Sequence, residues 1–282
     1  MDEAEWSACD DPLRMVDFLE AAEKKRQDED EETPWGRWLS GWFGRRKRRA
    51  PTPGPAPRAG ERPLRLFAVA CCQRIWHLIE DEYAGGVVEV AERYADGLVG
   101  LSELRDAYTT GREEQADFDL NQPGYRDWAP FVTATGAAVS TAEPSAACAA
   151  RYAADGAAEA ISYTLPWPDG GDPQEPARVA MLAAKAAEHQ VQCVLLRDIV
   201  GNPFRPVFLA PSGRTPTVLA LAQAAYDDRA LPAGTLDAAR LAVFADALED
   251  AGCTDAAILG HLRGPGPHVR GCWALDLILG KE

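Results

Sequence analysis

Most of this chain repeats one pattern: apolar residues return every third or fourth position, and proline and glycine cut the pattern into short lengths. A 3.6-residue period places such residues on one face of an α-helix, whereas a strand would alternate them in twos. The strongest instance covers 63–81. There Leu64, Phe67, Cys71, Ile75 and Leu78 form one stripe and Leu66, Val69 and Trp76 a second, which predicts a central helix buried on two sides.

The same reading places a helix over 11–27, capped by Asp10 or Asp11 with Pro12 in its first turn, dissolving into the acidic run Asp28-Glu29-Asp30-Glu31-Glu32. Gly85-Gly86 break the chain before a helix over 87–95, and Ser102 caps another reaching 118. The alanine-rich stretch 128–164 reads as two helices, the second opened by Glu143-Pro144. A long helix over 176–200 gathers Val179, Leu182, Ala186, His189, Cys193 and Leu196 near one face and ends at Gly201-Asn202-Pro203. Residues 204–209 are strand-like, and short helices follow over 217–226, 236–251, 255–262 and 269–279. Helices of this length cannot bury an apolar face alone and must stack. The expectation is an all-α chain, an irregular bundle or α-solenoid-like array of about ten helices with no repeat of constant period. Its organisation would be an N-terminal helix and acidic run (1–32), a flexible insert (33–62), a helical core (63–200) and a short-helix region packed on that core (201–282).

The insert has its own chemistry. Trp35, Trp38 and Trp42 are spaced i, i+3, i+7, and Arg45, Arg46, Lys47, Arg48 and Arg49 follow them. Pro51-Thr52-Pro53-Gly54-Pro55-Ala56-Pro57 cannot form regular helix or sheet. Aromatic rings beside a block of cations suit an anionic membrane surface, single-stranded nucleic acid or a protein partner. The acids of 28–32 could equally neutralise the bases of 45–49 within the chain. The chain as a whole has a net charge of −15, which repels phosphate, so nucleic acid is expected only at the insert.

Seven cysteines, an odd number, sit mostly inside apolar helical patterns, which points to reduced core thiols rather than a disulfide framework. The acidic start Met1-Asp2-Glu3-Ala4-Glu5-Trp6 has no apolar signal region, and no run of about 18 apolar residues spans a membrane. The expected location is the cytoplasm.

Several blocks carry a resemblance. They are Glu3-Ala4-Glu5-Trp6, Leu64-Arg65-Leu66-Phe67-Ala68-Val69-Ala70-Cys71-Cys72-Gln73-Arg74-Ile75-Trp76, Ala91-Glu92-Arg93-Tyr94-Ala95-Asp96-Gly97, Leu195-Leu196-Arg197-Asp198-Ile199-Val200-Gly201-Asn202-Pro203, and Gly264-Pro265-Gly266-Pro267-His268-Val269-Arg270-Gly271-Cys272-Trp273. Together they resemble a large family of bacterial paralogues of unknown function. Val243-Phe244-Ala245-Asp246-Ala247-Leu248-Glu249-Asp250-Ala251-Gly252 is similar to the bacterial repeat-companion motif V-Y-A-D-W-L-E-E-x-G, departing from it at Phe244, Ala247 and Asp250. The resemblance implies a helical cytoplasmic protein and supplies no activity.

The richest cluster of donor atoms is Cys253, His261, His268 and Cys272, two on each side of the rigid Pro265-Gly266-Pro267 turn. Zn²⁺ accepts a Cys₂His₂ set, although the spacings match no known finger; packed thiols and capping imidazoles are the structural alternative. Cys71, Cys72 and His77 lie on different faces of one apolar helix and read as core. His189 and Cys193 share an apolar face and read as a core pair rather than a catalytic one. Asp117, Asp119 and Asn121 begin like a calcium loop, but Gln122 and Trp128 stand where it needs Gly and a bidentate Glu. No nucleophile elbow, zincin, P-loop or dinucleotide motif is present. The expected function is therefore a non-catalytic helical scaffold that docks another protein and has no cofactor, with packed thiols and capping imidazoles the expected reading of the C-terminal cluster and a zinc ion the alternative. The alternatives are a metal- or thiol-dependent enzyme built on the C-terminal cluster, and a membrane-surface or nucleic-acid binder acting through the insert.

Overall fold

The computed structural model describes residues 1–32, 60–116, 125–166, 175–209 and 213–281. Twelve α-helices and almost no strand make up these residues, an all-α bundle. The helices are α1 (Glu3–Ala8), α2 (Pro12–Glu32), α3 (Glu61–Arg74), α4 (Glu82–Ala95), α5 (Leu101–Ala116), α6 (Tyr125–Ser140), α7 (Ala146–Tyr163), α8 (Glu175–Val200), α9 (Pro216–Asp227), α10 (Ala238–Asp250), α11 (Ala256–Leu262) and α12 (Trp273–Leu279). The insert residues Trp35, Trp38, Trp42, Arg45, Arg46, Lys47, Arg48 and Arg49, and the calcium-like stretch from Asp117 to Asn121, lie outside the described residues.

Helix α3 is the axis of the larger core. Both of its predicted stripes are buried: Phe67, Cys71 and Ile75 have no exposed surface, and Leu66 and Val69 almost none. The helix ends at Arg74, and Trp76–Leu78 form a separate 3₁₀ turn. The alanine-rich region supplies the next layer. Ala149, Ala150, Ala153, Ala154, Ala157 and Ala160 of α7 are wholly buried between α6, α3 and α8. Small side chains let these axes approach closely; a Cβ on Gly156 would lie 3.1 Å from that of Ala137. Buried alanine costs no side-chain entropy to order.

Four local expectations are corrected. Gly85 and Gly86 do not break the chain but lie inside α4, where a Cβ on Gly85 would reach 3.4 Å from the Trp76 ring. Helix α2 continues through the acidic run to Glu32, because Glu and Lys propagate a helix well. Residues 204–209 form no strand; the only ladder among the described residues pairs β1 (Arg229–Ala230) with β2 (Thr235–Leu236) antiparallel. In α8 the C-terminal turns bury Cys193, Leu195, Leu196 and Ile199, while Val179 and Leu182 near its start are exposed. Near its start the buried face runs through Met181 and Glu188 instead, so the face predicted from periodicity points to solvent there.

A second core lies in the C-terminal region. Tyr226, Leu241, Phe244, Leu248, Ile258, Leu262, Leu275 and Ile278 join α9 to α12, and only Val269 of this region belongs to the first core. The two cores meet along a seam that carries most of the chain's buried charge. No described helix is long and apolar enough to cross a membrane.

Candidate metal centre

One end of the seam is a compact set of donor atoms. Asp198, His261, His268 and Cys272 each place one such atom within 4.8 Å of the others. Three of the four residues singled out from sequence are therefore brought together. The fourth, Cys253, is buried in the second core and lies outside this group. Its place is taken by Asp198, which arrives from the other core.

Local structure explains the convergence. Asp198 sits in the last turn of α8, held there by Leu195, Leu196 and Ile199, which anchor that turn in the first core. The chain then leaves at Gly201, with φ +71°, where a Cβ would come within 3.0 Å of the Trp273 ring. A side chain there would strain the backbone and collide with the indole. His261 occupies the last turn of α11, a short helix capped by Asp255, whose carboxylate accepts the Ala257 and Ile258 N–H groups. His268 is fixed by the hairpin: Leu236 N–H donates to its carbonyl at 2.8 Å, and Thr235 bridges Val269. Cys272 is the N-cap residue of α12.

The contacts are short and mutually consistent. Asp198 Oδ1 lies 2.8 Å from His268 Nδ1 and 3.1 Å from His261 Nε2. His261 Nε2 in turn lies 3.1 Å from Cys272 Sγ. The second carboxylate oxygen, Asp198 Oδ2, accepts the Val269 N–H at 2.9 Å, which fixes the orientation of the group. His268 Nε2 approaches the Gly264 carbonyl at 3.3 Å. A carbonyl only accepts, so Nε2 carries hydrogen, and Nδ1 is the atom presented to the cluster. An outer carbonyl that orients an imidazole in this way is the usual support of a metal-ligating histidine.

Burial sets the electrostatics. Asp198, His268 and Cys272 are buried, and the His261 side chain retains only 20% exposure. Burial opposes ionisation of Asp198, but hydrogen bonds from His261 and His268 outweigh it and hold its pKa below the ordinary carboxylate value. Burial likewise disfavours charge on His268, and the bond to Asp198 reverses that, raising its pKa. Burial drives the Cys272 thiol well above its usual value, and the nearby Asp198 charge adds to this. No lysine or arginine is paired with Asp198 among the described residues.

The remaining sites flagged by sequence behave as core or surface. Cys71, Cys72 and Cys193 are fully buried, and burial pushes the Cys71 and Cys72 thiols up. The His189 Nε2 lies 3.6 Å from Asp155 Oδ1. A large surface groove lined by Phe18, Leu64, Tyr94, Arg105 and Arg151 contains none of the four clustered residues. Asp198 was missed because nothing local marks it: it is one acid in a helical run, 63 positions before His261. The helical period does place it on the buried side with Leu195 and Ile199, and a buried, lone carboxylate is the signal that could have found it.

Comparison of the chain with protein-family models, with curated proteins and with solved structures finds no match.

Proposed function

We propose that this chain is a non-catalytic helical scaffold stabilised by one structural transition-metal ion, of the zinc class, held by Asp198, His261, His268 and Cys272. The observation that carries the reading is the convergence of four different donor side chains, one of them brought across the seam between two cores, on a volume the size of a single ion. Around a tetrahedral ion with bonds of about 2.0–2.3 Å, donor atoms stand about 3.3–3.8 Å apart. The contacts here begin at 2.8 Å and stay within 4.8 Å, a spread that brackets this separation. One thiolate, two imidazoles and one carboxylate oxygen fit Zn²⁺, and less well the all-oxygen preference of Mg²⁺ or Ca²⁺.

The structural assignment follows from closure. A catalytic zinc keeps one coordination position open to substrate, whereas four protein donors fill a tetrahedron. Three of these donors are buried, and His261 covers the fourth side with Trp273 packed 5.0 Å from its ring.

Elemental analysis of the purified chain tests the proposal. About one zinc per chain is expected, falling to background in His268→Ala and Cys272→Ala. Cobalt exchanged into the site should give the visible absorption of a tetrahedral centre together with a thiolate charge-transfer band. A protein that binds no transition metal at micromolar concentration, while folded by circular dichroism, would sink the reading.

A further inference from the structure

The position of the four donors implies more than that an ion is held. We infer that the metal is a clamp between the two cores, so that its occupancy controls how firmly the C-terminal region, 213–281, docks on the rest of the chain. This rests on the metal reading above.

The argument begins with where each donor is anchored. Asp198 belongs to the first core through α8. His261, His268 and Cys272 all belong to the C-terminal region, on α11, on the segment before α12, and at the start of α12. One donor stands on one side of the seam and three on the other. The ion can therefore satisfy its coordination only while the seam is closed, and ligand that binds one arrangement stabilises that arrangement.

Beside the cluster, the other cross-seam contacts of this segment include Val269 and Arg270, whose guanidinium pairs with Asp96 and Glu92. Val269 is the one C-terminal residue that enters the first core. Next to it, Gly271 has φ +91°, and a Cβ there would lie 2.7 Å from Leu66 Cδ1 and 3.6 Å from Ile199 Cγ2. At Gly271 the backbone is thus pressed against the Leu66 side chain of α3 and the Ile199 side chain of α8. Close backbone approach gives fit but little apolar area, so docking here depends on polar contacts, the donor cluster together with the Arg270 ion pairs. The C-terminal region also has its own hydrophobic core, built from α9 to α12, and so can keep local structure when it is released.

Hydrogen exchange read by mass spectrometry on the full chain tests the clamp, comparing zinc-loaded protein, the same sample after a strong chelator, and Asp198→Asn. Elemental analysis accompanies each sample. Removing zinc should speed exchange at least tenfold across 229–236 and 256–281 and leave α3 and α7 unchanged. Asp198→Asn, which retains the three C-terminal donors, should reproduce the chelated pattern even with zinc added. If zinc is present and its removal changes protection nowhere, or equally in both cores, the clamp is wrong while the metal site stands. If the folded protein holds no zinc as isolated and takes none from solution, the metal reading fails and the clamp fails with it. The chelator arm needs no variant, so a folding defect in Asp198→Asn does not decide the outcome.

Discussion

The two ends of the seam solve the same problem with different chemistry. At one end, buried Asp96 and Asp276 face Arg62. Its Nη2 donates to Asp96 at 3.0 Å and to the Tyr226 hydroxyl at 2.7 Å, and its Nη1 pairs with Asp276. Arg270 lies 2.6 Å from Asp96, and Arg229 donates to Glu92 at 2.6 Å. Lys281 and Arg270 also stack over the Tyr226 ring, at 4.3 and 4.7 Å. Every carboxylate there has a permanent cation of its own. At the other end, the buried Asp198 has only imidazoles and a thiol. Charge burial is costly unless compensated. The first network balances its carboxylates with permanent cations, although Asp96 Oδ2 and Arg270 Nε make no hydrogen bond among the described residues, whereas the second holds no permanent cation and would gain one from a bound metal ion. That contrast, rather than any single distance, distinguishes an ion-pair hub from a metal site.

The comparison breaks most readily at the hub. Arg62→Ala would leave Asp96 and Asp276 facing each other across a buried space. Burial already raises the Asp276 pKa, despite the lowering effect of Arg62. Removing one partner of a buried pair costs about 3–5 kcal/mol. Urea unfolding should register that loss, and zinc content should stay near one per chain. A variant as stable as the parent would mean that the hub contributes no net stability.

A pair of cysteine variants sharpens the other end. Cys272→Ala removes a proposed donor and Cys253→Ala a buried thiol of the second core. With zinc at about a hundredfold excess over Kd, losing the site removes about 2.7 kcal/mol of linked stability. The packing loss alone, on the order of 1 kcal/mol, should be all that Cys253→Ala costs. Thermal melts with and without chelator check this: the chelator should lower the Tm of Cys253→Ala and leave that of Cys272→Ala unmoved. Equal chelator responses would return Cys272 to the role of an ordinary core thiol.

Sequence periodicity and local chemistry reach much of this molecule, and where they stop is instructive. Most helices and the burial of α3 follow from spacing, because each is settled within a few turns; caps are less legible, since Ser102 lies inside α5 and Ser145, not Glu143-Pro144, caps α7. Two donors, His261 and His268, and the thiol of Cys272 were visible because they crowd into one short stretch. The partner they need was not, because the contact between Asp198 and His268 is made by packing of two cores rather than by neighbours in the chain. The same limit explains Cys253, which shares the stretch but turns into the second core with Leu248 and Ile258. It also explains Val179 and Leu182: the buried face at the start of α8 runs through Met181 and Glu188 instead, a phase set by packing against neighbouring helices.

A smaller perturbation tests the close fit at the seam. Gly271→Ala would force a left-handed backbone on a residue with a Cβ, roughly 1–2 kcal/mol, and would push that carbon into Leu66. A total of about 2 kcal/mol is expected, with overpacking making up the rest. Because the strain falls between His268 and Cys272, zinc affinity should weaken with stability, as competition with a chromogenic chelator would measure. Stability lost with affinity untouched would show that the donors are held independently of the seam.

The finest comparison sets two helix caps against each other. Asp237 and Asp255 make the same bonds: each carboxylate accepts the N–H groups of the residues two and three positions on, at 2.8 Å and at 3.1–3.3 Å. Replacing either by Ala should cost about 1 kcal/mol. The helices they start differ in what they carry. α10 carries none of the four clustered donors, whereas α11 holds His261 in its last turn, and a frayed α11 would no longer present that imidazole. Asp255→Ala should therefore weaken zinc binding by a few-fold, in keeping with a cap worth about 1 kcal/mol, and Asp237→Ala should not. Matched losses of stability with unmatched losses of affinity would place His261 in the coordination sphere; matched affinities would remove it, leaving three donors and an open position on the ion.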